Sequence, residues 1–82
     1  MKANIDKEIR SRISTALIQC REVNDLTQTE AGEIVGVSKT TYATWEQGRS
    51  MPNVDTLFRL AQYYHVSMDH MYGIEEEDGK NS

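Results

Sequence analysis

The 82-residue chain is poor in the residues that carry covalent and aromatic chemistry: one cysteine, one proline, one tryptophan and one phenylalanine. A single cysteine, Cys20, cannot close an internal disulfide, which fits a reducing compartment. No apolar run approaches the roughly eighteen residues of a membrane span, and no signal peptide is visible. A cytoplasmic protein without membrane insertion or export is therefore expected. There is no Ser/His/Asp set, no metal-ligand spacing and no phosphate loop, and so small a chain leaves little room for a pocket. An enzyme is not expected, nor a metal, cofactor or small-molecule ligand. Repeats and low-complexity linkers are also missing, so one small domain is expected. Positive charge is short as well. The net charge is -4, but Glu75, Glu76, Glu77 and Asp78 fall in the last eight residues. Residues 1 to 74 hold eight Lys and Arg against nine Asp and Glu, a net of -1. Such a domain is not a general polyanion binder, although cations gathered on one face can still bind one.

What is present is concentrated in residues 28 to 47, QTEAGEIVGVSKTTYATWEQ. Thr27 precedes this stretch as an N-cap, and Glu30 stands at the third helical position, the spacing of a capping box. A helix from Gln28 to about Val35 is predicted. Gly36 ends it with a conformation free of Cβ strain. Val37 is the apolar plug of the turn. Ser38 caps a second helix, from Lys39 to about Gln47, and Gly48 ends that one. Two capped helices around a short Gly-containing turn make a helix-turn-helix. Ala31, Gly32 and Val35 form the inward stripe of the first helix; Tyr42 and Trp45 face inward on the second. Gly32 costs about 1 kcal/mol against Ala inside a helix, so another backbone is expected to approach it closely. The outer face of the second helix shows Lys39, Thr40, Thr41, Ala43 and Thr44. Short hydroxyl side chains are uncommon on a merely solvated helix face, and they suit the hydrogen bonds and methyl contacts of a DNA major groove.

The stretch LTQTEAGEIVGVSKTTYATWEQGRSMP resembles the DNA-binding domain of phage repressors and Cro-type regulators, the XRE-like helix-turn-helix family. The resemblance runs from about Ile9 to Ile74. It is carried by Leu26-Thr27-Gln28, Gly36-Val37-Ser38, Trp45 to Arg49, Pro52, Leu60-Ala61 and Val66 to Asp69. It implies an all-α, five-helix bundle of the lambda-repressor type. It also implies a set of DNA-facing residues: Gln28, Ser38, Lys39, Thr40, Thr41, Thr44 and Arg49, none of them acidic. A Gln at position 28 touches the DNA backbone in the family and braces the recognition helix. Arg49 matches the family's loop cation. Arg21 and Glu46, each surrounded by inward residues, are brought side by side by the resemblance, and a structural salt bridge between them is expected. Two departures stand out. Ile34 replaces a charged residue, as an exposed Ile or a partner contact. His65 replaces the usual Gly of a left-handed C-cap, a conformation His tolerates better than most residues.

Along the rest of the chain, residues 1 to 5 read as a flexible lead-in and Asp6 as the cap of a first helix reaching Val23. Its inward stripe is Ile9, Ile13, Leu17 and Cys20. Arg10 and Arg12 read as solvated surface, with a phosphate contact as the alternative. Backbone N–H groups from Gly48 to Met51 are expected to add to the Arg49 phosphate contact. Asn53 caps a fourth helix, Val54 to Tyr64, with Val54, Leu57, Leu60, Ala61 and Tyr64 inward. Ser67 caps a fifth, Met68 to Tyr72, with Met68 and Met71 inward. The domain thus spans 6 to 74, and 75 to 82 is an acidic, disordered tail. Phe58, Tyr63, Met71, Tyr72 and Ile74 exceed the needs of a small core, and the surplus suggests a homodimer formed through the C-terminal helices. The function expected is a sequence-specific transcriptional regulator, a repressor reading an inverted repeat in double-stranded DNA. The competing reading is a protein-contact module of the same fold, such as an antitoxin or antirepressor partner, which the near-neutral charge favours.

Overall fold

The computed structural model describes residues 2–74. These form five helices: α1 (Lys2–Val23), α2 (Gln28–Ile34), α3 (Lys39–Glu46), α4 (Val54–Tyr64) and α5 (Met68–Met71). There is no strand among the described residues. The acidic segment from residue 75 lies outside them.

Four of the five helices start on the cap expected from the sequence. Thr27 and Glu30 form a reciprocal capping box, with the Glu30 N–H donating to Thr27 Oγ1 at 3.1 Å and the Thr27 N–H donating to Glu30 Oε1 at 2.9 Å. Ser38, Asn53 and Ser67 accept from the N–H groups of Thr41, Thr56 and His70. Each cap occupies one of the donors that a helix start leaves open. α1 is the exception. It begins at Lys2, so Asp6 lies within the helix and residues 2 to 5 are not a loose lead-in. Lys2, Ala3, Asn4 and Ile5 include neither Gly nor Pro, and nothing in the stretch stops the helix from extending backward. His65 closes α4 in the left-handed region, at φ 60° and ψ 43°.

The core is a single cluster. Ile13, Ala16, Leu17 and Cys20 come from α1, Ala31 from α2, and Tyr42 and Trp45 from α3. Leu57, Leu60, Ala61 and Tyr64 come from α4 and Met71 from α5. The Tyr42 and Trp45 rings meet edge to face with centroids 5.6 Å apart. Burial pushes the Tyr64 phenol up to about 12. Val37 packs on this cluster from the turn, and so does Ile34, which is partly buried rather than fully exposed. Val54 does not join the core; it is 65% exposed. It is the first residue of α4, a turn before the buried run of Leu57, Leu60, Ala61 and Tyr64 begins. Met71 is fully buried and drops out of the apolar surplus, whereas Phe58, Tyr63 and Ile74 stay about half exposed.

α2 packs on α3 around Gly32. A Cβ built there would lie 2.8 Å from the Val37 carbonyl oxygen and 3.3 Å from that of Ser38. The Val37 N–H also donates to the Gly32 carbonyl at 3.0 Å. The turn therefore folds directly over the glycine, and the obstacle to a side chain is backbone that cannot rotate away. Gly32→Ala is expected to lose about 1–3 kcal/mol in urea unfolding, despite the better helix propensity of Ala. An alanine variant as stable as the parent would refute the close approach.

Candidate nucleic-acid interface

α3 is short, and polar side chains from α1 and α2 hold it in place. Glu46, at its last residue, has a side chain only 4% exposed. Arg21 meets it with two parallel bonds, Nε to Oε2 at 2.7 Å and Nη2 to Oε1 at 3.1 Å. The third guanidinium nitrogen of Arg21 donates to the Leu26 carbonyl at 2.9 Å. Gln28, the first residue of α2, donates from Nε2 to Glu46 Oε1 at 3.0 Å. One carboxylate thus ties together α1, α2 and α3. Burial alone would raise the Glu46 carboxyl. The hydrogen bonds from Arg21 and Gln28 outweigh it and leave the group below its ordinary value of 4.5.

α1 supplies two more attachments. Ser14 Oγ donates to the Glu46 carbonyl, and Arg10 Nε donates to the Gly48 carbonyl at 3.1 Å. Arg10 is therefore half-buried against the loop after α3 rather than solvated. Arg12 is not a free surface cation either. It pairs with Glu8 at 2.8 Å and donates from Nη1 to the Gly73 carbonyl at 2.7 Å, closing the far end of the bundle.

So mounted, α3 presents its other side outward. Lys39, Thr40 and Thr41 are exposed, and Thr44 is half-buried. An open groove of about 370 Å³ runs along this side, lined by Gln28, Lys39, Thr40, Ala43, Thr44, Gln47 and Arg49. It gathers five of the seven residues singled out in the sequence and holds no acid. Ser38 and Thr41 are not part of its lining. Gln47 and Ala43 were missing from the expected set. The signal for Gln47 was present, because 40, 44 and 47 continue one helix face at spacings of four and three. Gln47 Oε1 accepts from Arg49 Nη1 at 3.3 Å.

The hydroxyls differ in what they have left to offer. The Ser38 proton goes to Thr41 Oγ1 at 3.3 Å, which leaves the Thr41 proton available. Among the described residues neither Lys39 Nζ nor Thr40 Oγ1 has a partner. The loop amides are less open than expected. The Gly48 N–H donates to the Trp45 carbonyl, and the Arg49 and Ser50 N–H groups share that of Thr44 at 3.0 and 3.4 Å. The tight turn after α3 consumes these donors, so Gly48 to Ser50 do not form the main-chain cradle anticipated from the loop.

A family profile described as Helix-turn-helix (HTH_3) matches residues 17–71. The chain belongs to this helix-turn-helix family. Its matched region includes Arg21, Gln28, the whole of α3 and Arg49. The cryptic phage CTXphi transcriptional repressor RstR of Vibrio cholerae is 36% identical over 65% of this chain and 48% of its own. The HTH-type transcriptional activator BcrR of Enterococcus faecalis is 33% identical over 73% of this chain and 29% of its own. The chain thus spans about half or less of the length of these relatives. A transcriptional regulator from Listeria innocua superposes with a TM-score of 0.73 at 28% identity, over 79% of this chain and 61% of that one. These relatives are named as regulators, not enzymes. No helix among the described residues is long and apolar enough to cross a membrane.

The helix-turn-helix domain should depend on the Arg21–Glu46 bridge. Arg21→Met is expected to cost about 3–5 kcal/mol in chemical unfolding, because it leaves a buried carboxylate without its cation. Since the native Glu46 pKa lies below 4.5, its contribution is complete above the unfolded value and is lost as pH falls through the native one. The stability difference between the parent and Glu46→Gln should therefore shrink on acidification below about 4.5. A difference that stays constant from neutral pH into that range would contradict this reading of the bridge.

Proposed function

We propose that the chain is a sequence-specific DNA-binding transcriptional regulator that inserts α3 into the major groove. The observation that carries this reading is the acid-free groove along the exposed side of α3, with Lys39, Thr40 and Thr44 beside Gln28 and Arg49. Lys39, Thr40 and Thr44 meet base edges. Arg49 and the open N–H of Gln28 meet phosphates, which set register without carrying sequence. Thr41, with its proton available, stands between these roles next to Ser38. Each Glu46 stays behind, buried against Arg21, so its charge does not repel the duplex.

Two copies acting together place their α3 helices about 34 Å apart in successive major grooves, on an inverted repeat. The exposure of large apolar side chains, Phe58 and Tyr63 on α4 and Ile74 after α5, supports pairing through the C-terminal helices. Bound over a promoter, the dimer acts as a repressor, the role in the name of RstR.

Selection of bound fragments from random duplex DNA tests the proposal. The expected outcome is a palindromic preference. A featureless outcome, or no binding, would instead assign the chain to protein contacts. Lys39→Ala should lose about 1–3 kcal/mol and relax preference at one base position; an equal loss on every sequence would move Lys39 to the phosphates. Lys39 and Arg49 are the cations of the groove lining. With Arg49 the one cation assigned to a phosphate, at about -0.9 per neutralised phosphate a plot of log K against log salt should have a slope of roughly -1 per subunit, and a slope near -2 would place Lys39 on a phosphate as well. A reporter whose promoter overlaps the selected site should fall on expression of the chain, and a rise would assign activation.

A further inference from the structure

Thr44 lines the groove of α3, yet its hydroxyl is already engaged. Oγ1 donates to the Thr41 carbonyl at 2.7 Å. It also lies 2.8 Å from Ser50 Oγ, in a contact where either oxygen is a chemically admissible donor. A hydroxyl carries one proton and two lone pairs. The Thr44 proton is committed to a carbonyl, which can only accept, so Ser50 must be the donor of the second bond. Thr44 then has no proton for a base, and Ser50 has none for a phosphate. The bond from Ser50 also fixes the loop against α3. What Thr44 retains for a ligand is its methyl group and one lone pair. Beside it in the groove stands Ala43, which has only a methyl to give.

From this hydrogen-bond arithmetic we infer that Thr44 reads the 5-methyl group of a thymine, as an apolar contact flanked by Ala43, and not a base acceptor. Position 44 is thus a specificity determinant of the DNA reading proposed above and rests on that reading. A methyl on the helix matched to a methyl in the groove distinguishes thymine from cytosine without any hydrogen bond.

The test uses the full chain and the duplex obtained by selection, with each thymine replaced singly by deoxyuridine, which lacks only the methyl. Binding is measured by fluorescence anisotropy for the parent, Thr44→Ser and Thr44→Val. Each protein is compared with itself on the thymine duplex, so a looser loop in Thr44→Val cancels. One thymine per half-site should show a penalty of about threefold to fivefold in the parent, the order expected for one buried methyl. Thr44→Val, which keeps the methyl and loses the hydroxyl, should retain that penalty. Thr44→Ser, which does the reverse, should abolish it. The inference is overturned if no thymine responds to loss of its methyl, or if Thr44→Ser keeps the full penalty. It is equally overturned if Thr44→Val erases it. Failure to select any duplex would defeat the DNA reading itself, whereas a selected duplex with an unaltered penalty in Thr44→Ser would defeat only the role of Thr44.

Discussion

The Glu46 carboxylate is the interaction on which the arrangement of this domain depends. A charge buried to this degree is tolerated only when every part of it is answered. Arg21 answers both oxygens from α1, and Gln28 adds a bond from the start of α2. The same guanidinium reaches the Leu26 carbonyl just before the Thr27 cap. Three helices are thereby related to each other through one group of atoms, in a small domain that buries a modest share of its surface. Apolar contacts are non-directional. A fork-shaped guanidinium against a carboxylate is directional, and it fixes rotation as well as distance.

The distribution of charge follows from the same economy. Arg10, Arg12 and Arg21 all lie on α1, and each is engaged within the domain: on the Gly48 carbonyl, on Glu8 and Gly73, and on Glu46. The near-neutral balance of residues 1 to 74 therefore understates how local the groove's positive character is. Lys39 and Arg49 stand on one face with no acid in the lining between them. Under the proposed function, a domain of this kind gains little from non-specific attraction and depends more on what its groove recognises.

Much of this was legible in the sequence because it rests on local rules. Thr27 with Glu30, Ser38, Asn53 and Ser67 mark four helix starts, and Gly36 and Gly48 take the positive φ values their turns require. Gly32, a poor helix residue in a helix, announced a close backbone crossing that the structure contains. What escaped detection was long-range or lay at the start of a helix. The start of α1 carries no stop signal. Val54 reads as apolar and inward, yet it opens α4 a turn before the buried residues begin. Arg10 looks like any surface cation unless the carbonyl of a residue 38 positions away is known to lie beside it. The loop amides look free until the turn that spends them is seen. Ile34, odd by comparison with the family, simply extends the core.

The threefold tie at Glu46 has a mechanical consequence. With α1 and α2 both bonded to Glu46, and Arg10 of α1 bonded to the Gly48 carbonyl, α3 is held by its neighbours at its C-terminal end. Under the proposed function, all accommodation then falls to the duplex, which must twist or narrow to meet a stiff reading head. Base steps that are never touched would still be sorted by how readily they yield.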